Sequence, residues 1–213
     1  SLAFHLTGLK SEQLMTAQHY REVERKIGIA LVSGDVPMYE VEEDLSNSLR
    51  KESPILRLIT FSRPKKSELQ TEYNASDLEY TWLEVDYAAR ALAQYKREFG
   101  VYDYTDMLEL FARSAHEVCP SFKLSMLDEA QDLSPLQWDI AHAIDEKSER
   151  MYCAGDDDQA IMGFQGADVK AFLSATEDRE VLHKSYRLPE SVWHVAQSVV
   201  SRIRDRAPKD WSP

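Results

Sequence analysis

Residues 122–132 read Phe-Lys-Leu-Ser-Met-Leu-Asp-Glu-Ala-Gln-Asp, and residues 151–159 read Met-Tyr-Cys-Ala-Gly-Asp-Asp-Asp-Gln. Each stretch is a short apolar run that ends in a group of acids. Carboxylates at the end of a buried strand are costly unless they bind a cation or transfer protons, because removing a charge from water requires compensation. The two stretches therefore predict two strands whose acidic ends form one site.

The segment between these runs predicts the helix that joins the two strands. Ser134-Pro135-Leu136-Gln137 places an N-cap serine before a proline at the first helical position, and the glutamine can complete a capping box. Leu136, Ile140 and Ile144 would form the buried stripe of this helix. A strand, a helix and a strand in this order predict an α/β fold with a parallel sheet and with ligands at the carboxyl ends of its strands.

Further helices are predicted before this unit. Between residues 78 and 99, five apolar residues recur every four positions, which is typical of one buried helical face: Leu83, Tyr87, Ala91, Tyr95 and Phe99. Gly100 would end this helix, and Thr105 would cap a second helix that reaches about Val118.

The sequence at the two ends of the chain gives fewer signals of structure and function. One or two helices are expected before Leu31, and Ser33-Gly34-Asp35 and Pro37 indicate a turn after them. Towards the C-terminus, Asp168 can cap a helix over residues 169–174, and residues 181–186 predict a strand. The last predicted helix carries one apolar face: Val192, Val195, Ala196, Val199 and Ile203.

Composition excludes several classes of protein. The 213 residues carry 37 acids against 25 bases, a net charge of −12, which argues against a non-specific nucleic-acid binder but allows a local groove. No apolar run approaches the roughly 18 residues of a membrane span. Cys119 and Cys153 lack metal-ligand spacing, so we expect two packing residues in a reducing cytoplasm. The basic cluster at Arg63, Lys65 and Lys66 is expected to be a solvated surface, with phosphate contact as the alternative.

The acids suit the chemistry of nucleotide hydrolysis. Mg²⁺ keeps several waters and takes one or two carboxylates together with phosphate oxygens, so Asp128 could hold the metal. Glu129 would then act as the general base for the attacking water. Gln159 carries an amide that can donate to a γ-phosphate oxygen and accept from that water.

The acids could also serve as helix caps or as a calcium loop. A single aspartate most often caps a helix or a loop, but two acidic groups at neighbouring strand ends favour a shared site. A calcium loop at Asp156-Asp157-Asp158 is weak, because the alternating ligands, the glycine at the sixth place and the glutamate at the twelfth are absent.

Three ordered motifs resemble the UvrD/Rep-type superfamily 1 of DNA helicases. The first is residues 128–132, Asp-Glu-Ala-Gln-Asp; the second is residues 154–161 with Gly166-Ala167-Asp168; the third is Ser185-Tyr186-Arg187. Residues 1–4 also look like the tail of the family's Thr-Phe-His-Ser segment, and residues 102–106 resemble the stretch before its Walker B strand.

The resemblance implies a fold and a division of the chain. The fold would be α/β, a partial RecA-like parallel sheet of the P-loop NTPase type with a mostly helical insertion. Residues 1–20 would be a remnant of the first RecA-like lobe, and 21–104 the helical insertion. Residues 105–178 would hold the Walker B and γ-phosphate-sensor motifs of the first lobe, and 179–213 the start of the second lobe.

The resemblance also implies residue roles. Asp128 would bind Mg²⁺, Glu129 would activate water, and Gln159 would bind the γ-phosphate of ATP and couple it to DNA. Arg187 would bind ATP as an arginine finger from the second lobe. Three residues would contact single-stranded DNA: Phe164, which would stack on a base, Met162 and Ser1.

The chain departs from the family's pattern at three places. Met162 stands where the family usually has an aromatic residue, and Gln165 where it commonly has arginine. None of the seven glycines is followed by lysine, so the chain contains no Gly-x-x-x-x-Gly-Lys-Ser/Thr loop for phosphates. The resemblance places that loop N-terminal to Ser1, so we expect an internal piece that is inactive alone.

The expected parent is a cytoplasmic enzyme, bacterial or phage-encoded, that uses ATP to translocate from 3′ to 5′ on single-stranded DNA and to unwind duplex DNA. Its oligomeric state is left open. One alternative is a degenerate helicase-like module that docks protein or DNA. The others are a metal-dependent nuclease, which Gln159 and residues 185–187 do not fit, and a helicase joined to a nuclease.

Overall fold

The computed structural model describes residues 6–32, 52–204 and 206–213. Its α-helices are α1 (Ala17–Ile27), α2 (Pro54–Ser62), α3 (Leu69–Asn74), α4 (Trp82–Phe99), α5 (Tyr104–Val118), α6 (Pro135–Asp145), α7 (Val169–Ser174) and α8 (Glu190–Val200). Its strands are β1 (Ser125–Leu127) and β2 (Met151–Cys153), and short 3-10 helices cover Ser11–Gln13, Ala130–Asp132, Asp157–Gln159 and Met162–Gln165. The predicted Ser33 to Pro37 turn and the candidate Ser1 lie outside the described residues.

The predicted strand–helix–strand unit is present. β1 and β2 pair in parallel with Leu127 opposite Cys153, and α6 lies between them in the chain. The capping box of α6 is confirmed, because Ser134 Oγ accepts from the Gln137 N–H and the Gln137 side chain accepts from the Ser134 N–H at 2.9 Å. Its stripe is confirmed for Leu136, whereas Ile140 and Ile144 are only partly buried.

Among the described residues, apolar side chains form two main cores and one small one. The first core joins α1, α2 and α4 and contains Val23, Leu31, Ile55, Leu56, Ile59, Val85, Ala88, Leu92, Tyr95 and Val101. The second lies between α5 and α6 and contains Met107, Phe111, Ala115, Cys119 and Ala143. The small core, Ala130, Trp138 and Ala141, packs against α7 and supports the ends of both strands.

The buried face of α4 differs from the predicted one. Thr81 and Gly100 cap the helix, and Gly100 takes the expected left-handed conformation. Its buried residues are Val85, Ala88, Leu92 and Tyr95, whereas Leu83, Tyr87 and Phe99 are at least half exposed. A strict four-residue repeat drifts around a helix of 3.6 residues per turn, so the predicted stripe leaves the core. Alternating steps of three and four stay on it.

The helix α5 begins before the predicted cap. Asp103 is the N-cap: its Oδ1 accepts from the Asp106 N–H at 2.7 Å, and Asp106 Oδ2 accepts from the Asp103 N–H at 2.8 Å. Thr105 lies inside the helix and is buried. The expected cap was therefore two residues late, and the expected end at Val118 is confirmed.

The prediction of a solvated basic surface is confirmed for Lys66, whose side chain is 54% exposed, and wrong for Arg63 and Lys65, whose side chains are about three-quarters buried. Arg63 Nη1 lies 3.0 Å from Asp103 Oδ2, and Arg63 Nη2 lies 2.5 Å from Asp106 Oδ1. Lys65 pairs with Glu72 at 2.7 Å. Lys66 pairs with Asp139 at 2.8 Å. All three basic side chains therefore pair with acids of other elements, and the acids that bind Arg63 and Lys66 lie 40 or more residues away, too far for a sequence window to reveal.

The C-terminal part departs further from expectation. Residues 181–186 do not form a strand: only Lys184 makes a bridge, to Ser212. The helix α8 ends at Val200, so Ile203 lies outside it, and the other apolar residues of its predicted face are not buried. Cys119 is buried as expected, whereas Cys153 is exposed. Within the described ranges, no helix combines the length and hydrophobicity that a membrane crossing needs.

Candidate functional site

The carboxyl ends of β1 and β2 form one continuous edge. The Ala154 N–H donates to Leu127 O at 2.7 Å, and the Ala130 N–H donates to Ala154 O at 3.0 Å. The ladder therefore continues beyond both strands into the loops that carry the acids. Asp128 and Glu129 follow β1 directly, and the turn at Gly155 follows β2 beside them.

Asp128 and Glu129 are exposed at this edge. The Glu129 N–H donates to Asp128 Oδ1 at 2.9 Å. Glu129 has φ 52° and ψ 39°, a left-handed conformation that costs a residue with a side chain about 1–2 kcal/mol. Such strain at a carboxylate is typical of functional positions, where the backbone aims a side chain that regular structure would turn away.

The donor set is compatible with a magnesium ion bound mainly by nucleotide and water. In the ranges that the structure covers, no group of three or more His, Cys, Asp or Glu side chains is arranged to hold a metal. Mg²⁺ in nucleotide sites takes one or two protein carboxylates. Asp128 is suited to be such a carboxylate ligand, because it is exposed and only its Oδ1 accepts a hydrogen bond from a described residue.

Gln131 connects the two strand ends, a role that its sequence context did not predict. Its side chain is fully buried, with 1% exposed. Its Nε2 donates to Glu129 Oε2 at 2.8 Å, and its Oε1 accepts from the Asp156 N–H at 3.0 Å. One amide therefore holds the candidate base and the start of the second acidic loop. Its place in the Asp-Glu-Ala-Gln-Asp motif was the only signal in the sequence.

Gly155 is required by the close approach of Gln131. A Cβ added at residue 155 would lie 2.5 Å from Gln131 Oε1 and 2.9 Å from Cζ of Phe172. Both distances are shorter than real side chains tolerate, and both neighbours are packed. The turn after β2 therefore requires glycine, because there is no space for a side chain at residue 155.

Asp132 lies beside these groups with an incompletely paired carboxylate. Its Oδ1 is buried and has no hydrogen-bond partner among the described residues, while its Oδ2 accepts from Gln131 Nε2 at 3.4 Å. Burial, followed by the nearby charge of Glu129, raises the pKa of Asp132 above its ordinary value. The raised pKa reflects the close grouping of carboxyl groups in the first loop and favours the protonated form of Asp132.

The three acids of the second loop are paired with two basic side chains of the protein itself. Lys209 Nζ lies 2.5 Å from Asp156 Oδ1, 2.6 Å from Asp157 Oδ1 and 3.1 Å from Asp158 Oδ2. Arg206 makes a two-pronged contact with Asp158 at 2.5 and 2.9 Å. Basic side chains some 50 residues downstream therefore offset most of the charge of this loop, whereas Asp128 and Glu129 stay exposed at the end of β1.

Gln159 is exposed at the end of this loop. Its Nε2 donates to Asp156 Oδ2 at 2.7 Å. Burial alone would raise the pKa of Asp156, but hydrogen bonds from Lys209 and Gln159 hold it below its ordinary value. Asp156 is therefore an ionised acceptor that fixes the orientation of the Gln159 amide.

The candidate DNA-contact residues follow on the 3-10 helix Met162–Gln165. Phe164 is 64% exposed, whereas Met162 is partly buried. Gly166 ends this helix with φ 100°, and a Cβ there would lie 2.7 Å from Cγ of Lys65. Lys65 thus packs below the turn that presents the Phe164 ring to solvent.

Arg187 lies apart from the acids. It is exposed, and its backbone N–H donates to Ser185 Oγ at 3.4 Å. Among the described residues, its side chain forms no hydrogen bond or ion pair with Asp128, Glu129 or Gln159. The structure therefore brings Asp128, Glu129 and Gln131 together with the loop of Gln159, and it does not add Arg187 to them.

Comparison with known proteins identifies the family to which this geometry belongs. A sequence model of the UvrD/REP helicase N-terminal domain matches residues 9–180. The chain belongs to the UvrD/REP helicase family. The resemblance inferred from the three motifs is thereby confirmed.

The UvrD/REP relatives are ATP-dependent DNA helicases by name. PcrA of Leuconostoc citreum is 26% identical over 186 residues, which cover 81% of this chain and 25% of that protein. PcrA of Staphylococcus aureus is 28% identical over 160 residues, 68% of this chain and 22% of that protein. YjcD of Bacillus subtilis, a putative ATP-dependent DNA helicase, is 28% identical over 126 residues, 54% of this chain and 17% of that protein. The chain thus spans about a quarter of the length of the first relative.

Membership of the UvrD/REP family implies a RecA-like fold for the matched region. The two-stranded parallel sheet, with helices around it, is compatible with that fold.

Proposed function

We propose that the chain is part of an ATP-dependent DNA helicase that translocates from 3′ to 5′ on single-stranded DNA and unwinds duplex DNA. The observation that carries the proposal is the buried amide of Gln131. It hydrogen-bonds the Glu129 carboxylate on one side and the Asp156 backbone on the other, and Asp156 holds Gln159. A general base and a γ-phosphate sensor that are linked through one buried amide suit an enzyme that couples ATP hydrolysis to translocation on DNA.

The proposed division of labour follows the two loops. Asp128 would hold Mg²⁺ together with the ATP phosphates, and the bound ion would supply Lewis-acid stabilisation of phosphoryl transfer. Glu129 accepts a proton from the attacking water. Gln159 offers its amide to the γ-phosphate, and Arg187 reaches the nucleotide only when the predicted second lobe, residues 179–213, moves towards the first.

DNA would bind beside the sensor loop. Phe164 stands five residues after Gln159, and its exposed ring offers a stacking surface for a base. Base–aromatic stacking contributes about 1–3 kcal/mol per base and tolerates any sequence. Met162 flanks this ring, and Ser1 is a further proposed DNA contact. We place this activity in the cytoplasm of a bacterium or of a phage-infected cell.

The division of the chain into domains is part of the proposal. Residues 1–20 and 105–178 would belong to the first RecA-like lobe, with 21–104 as its helical insertion. The first core, which α1, α2 and α4 build around residues separate from the sheet, supports an insertion with its own packing. Within these 213 residues no Gly-Lys pair offers a phosphate-binding loop, so we propose that they do not hydrolyse ATP alone.

The deciding experiment compares Glu129→Gln with Glu149→Gln in the full-length gene product. Glu149 is an exposed glutamate two residues before β2, at the opposite end of the strands from Glu129, and serves as the matched control. We expect Glu129→Gln to lower DNA-stimulated ATP turnover by about 10²–10⁴-fold, because it removes the general base, and to leave ATP binding intact. Turnover is measured by phosphate release with and without single-stranded DNA.

Three results would contradict the proposal. If Glu129→Gln keeps full turnover and unwinding, a degenerate docking module is favoured instead. If Mn²⁺ supports DNA cleavage that Asp128→Ala abolishes, the acids serve a nuclease. If the isolated 213 residues hydrolyse ATP robustly in the presence of DNA, the proposal that they are inactive alone is wrong. Cleavage unaffected by Asp128→Ala would instead indicate a helicase joined to a nuclease.

A further inference from the structure

Three consecutive acids after β2 are bound by one short segment of the C-terminal region. Asp156, Asp157 and Asp158 all contact Lys209 Nζ within 3.1 Å. Arg206 grips Asp158 from a second side. We call Arg206, Ala207 and Lys209 the basic clamp.

The backbone of the clamp takes part as well. The Ala207 N–H donates to Asp157 Oδ2 at 2.8 Å, so the Asp157 carboxylate is bound by a main-chain group and by Lys209 together. The Asp157 side chain is 3% exposed and that of Lys209 is 13% exposed. A buried carboxylate left without its cation is costly, so these contacts fix the clamp against the loop.

Charge on Lys209 is maintained despite its burial. Burial alone would lower the pKa of Lys209, but the hydrogen bonds that it donates to Asp156, Asp157 and Asp158 hold that pKa above its ordinary value. Lys209 is therefore a cation at neutral pH, and its ion pairs persist under the conditions in which a nucleotide would bind.

The Asp156 carboxylate is shared between the clamp and the candidate sensor. Its Oδ1 accepts from Lys209, and its Oδ2 accepts from the Gln159 amide at 2.7 Å. Gln159 is exposed and has no other side-chain hydrogen bond among the described residues. The orientation of its amide thus depends on a carboxylate whose position Lys209 fixes.

We propose that Lys209 is a positioning residue for Gln159 and acts through Asp156, so that the segment 206–209 sets the geometry of the γ-phosphate sensor. This inference rests on the proposed function of Gln159. It adds a route by which the predicted second lobe, to which Lys209 is assigned, controls the sensor in the first. A displaced clamp releases Asp156, and the Gln159 amide loses its fixed direction.

The test measures DNA-stimulated ATP turnover of the full-length gene product with four variants: Lys209→Ala, Asp156→Asn, Gln159→Ala and the double variant Gln159→Ala with Lys209→Ala. We expect Lys209→Ala to lower kcat by about ten-fold or more, since small misplacement of a reacting group has effects of this size, and to change KM for ATP by less than about two-fold. Asp156→Asn keeps the shape of the loop and the Asp157 pair, so it replaces Lys209→Ala if that variant does not fold.

The double variant separates positioning from general stabilisation. If Lys209 acts through Gln159, the double variant is no slower than Gln159→Ala alone, because the amide to be positioned is already gone. Lys66→Ala removes a lysine from another inter-element ion pair and is the control, with turnover expected at the wild-type level. A purely structural role of Lys209 would slow both backgrounds equally.

Outcomes for the two proposals differ. If Gln159→Ala slows turnover while Lys209→Ala and Asp156→Asn do not, or if the losses in the double variant multiply, the positioning role is overturned and the sensor role stands. If Gln159→Ala leaves DNA-stimulated turnover unchanged, the sensor role itself fails and the inference fails with it.

Discussion

At the residue scale, the candidate site depends on close packing as much as on its acids. Gln131 can reach Glu129 and Asp156 only because residue 155 has no side chain. The cost of substitution at a glycine is set by the atoms that the new Cβ meets. Two glycines of this chain differ in that respect and allow a matched comparison.

Gly155→Ala is predicted to destabilise the protein by about 1–3 kcal/mol, because the new Cβ would overlap Gln131 Oε1 and the Phe172 ring. Gly163→Ala is the control, since nothing lies within 4 Å of its Cβ position. Urea unfolding of both variants gives the comparison. Equal unfolding free energies for the two variants would contradict the role of packing at residue 155.

A second residue-scale prediction concerns the pH dependence of stability through Glu52. Burial raises its pKa from an ordinary value of 4.5 to about 7, with Arg57 opposing the shift and Asp103 adding to it. Its Oε2 is buried without a hydrogen-bond partner among the described residues. Between these two pKa values the folded state holds a proton that the unfolded state releases, so the protein loses stability as pH rises from about 4.5 to 7.

Glu52→Gln mimics the protonated form and should remove this loss. We expect the variant to gain about 1–2 kcal/mol over wild type at pH 8, after allowance for solvent screening, and little at pH 5. Denaturant unfolding at both pH values measures the difference, with the exposed Glu79→Gln as control. An equal effect of Glu52→Gln at the two pH values would count against the raised pKa.

At the element scale, local signals predicted where helices begin and end better than which face they bury. The caps at Ser134 and Asp168 were predictable from sequence because a capping side chain binds a backbone N–H only two or three residues away. The buried face of α4 was missed because it depends on α1 and α2, which the periodicity of one helix does not contain. Charge partners were missed for the same reason: Arg63 is 40 residues from Asp103.

The candidate site was predictable only where its contacts are local. The meeting of the two strand ends follows from a short parallel ladder and was expected. The binding of Asp156 by Lys209 spans 53 residues and passes through α7 and α8, so no local pattern indicates it. The residue roles that were inferred from motifs stay predictions. The long-range contacts around those residues could be identified only from the structure.

Arg63 is the main electrostatic link between α2 and α5. It contacts Asp103, Asp106 and Glu109, and its side chain is three-quarters buried. Arg63→Met is predicted to destabilise the protein by about 3 kcal/mol, because Asp103 and Asp106 would keep only Lys96 as a cation.

The control for this prediction is Arg113→Met. Arg113 is 78% exposed and lies 4.0 Å from Glu109, and such surface pairs contribute at most about 1 kcal/mol. Thermal and urea unfolding of the two variants should therefore differ clearly. A loss for Arg113→Met as large as that for Arg63→Met would contradict the assignment of the link to Arg63.

At the scale of the whole molecule, stability is expected to be uneven along the chain. The cores that hold α4, α5 and α6 contain all the large, fully buried side chains among the described residues, apart from Gln131 at the strand edge. The helix α8 has no buried residue, and the apolar side chains on its predicted face are not buried. Local opening requires little free energy where few apolar contacts are lost, so α8 should open most readily.

The basic clamp is expected to resist local opening more than α8, which precedes it in the chain. Ala207 follows α8 in the chain, yet its N–H is held by the buried Asp157 carboxylate. We predict that the Ala207 amide exchanges with solvent deuterium at least about ten-fold more slowly than the amides of α8, because its hydrogen bond to Asp157 is buried. Hydrogen exchange read by NMR or by fragmentation mass spectrometry resolves the two segments.

Lys209→Ala supplies the decisive variant for this prediction. Removing the cation leaves Asp157 bound only by the Ala207 N–H among the described contacts, and although Arg206 still pairs with Asp158, the exchange of Ala207 should speed up towards the rate of the α8 amides. Lys184→Ala is the control, because Lys184 contacts the Pro213 carbonyl in the same region without touching the acids. If Ala207 in the wild-type protein exchanges as fast as α8, the clamp does not hold in solution. If Lys209→Ala speeds the exchange of Ala207 and Lys184→Ala leaves it slow, the three acids after β2 hold the basic clamp in place, which the loosely packed α8 does not do.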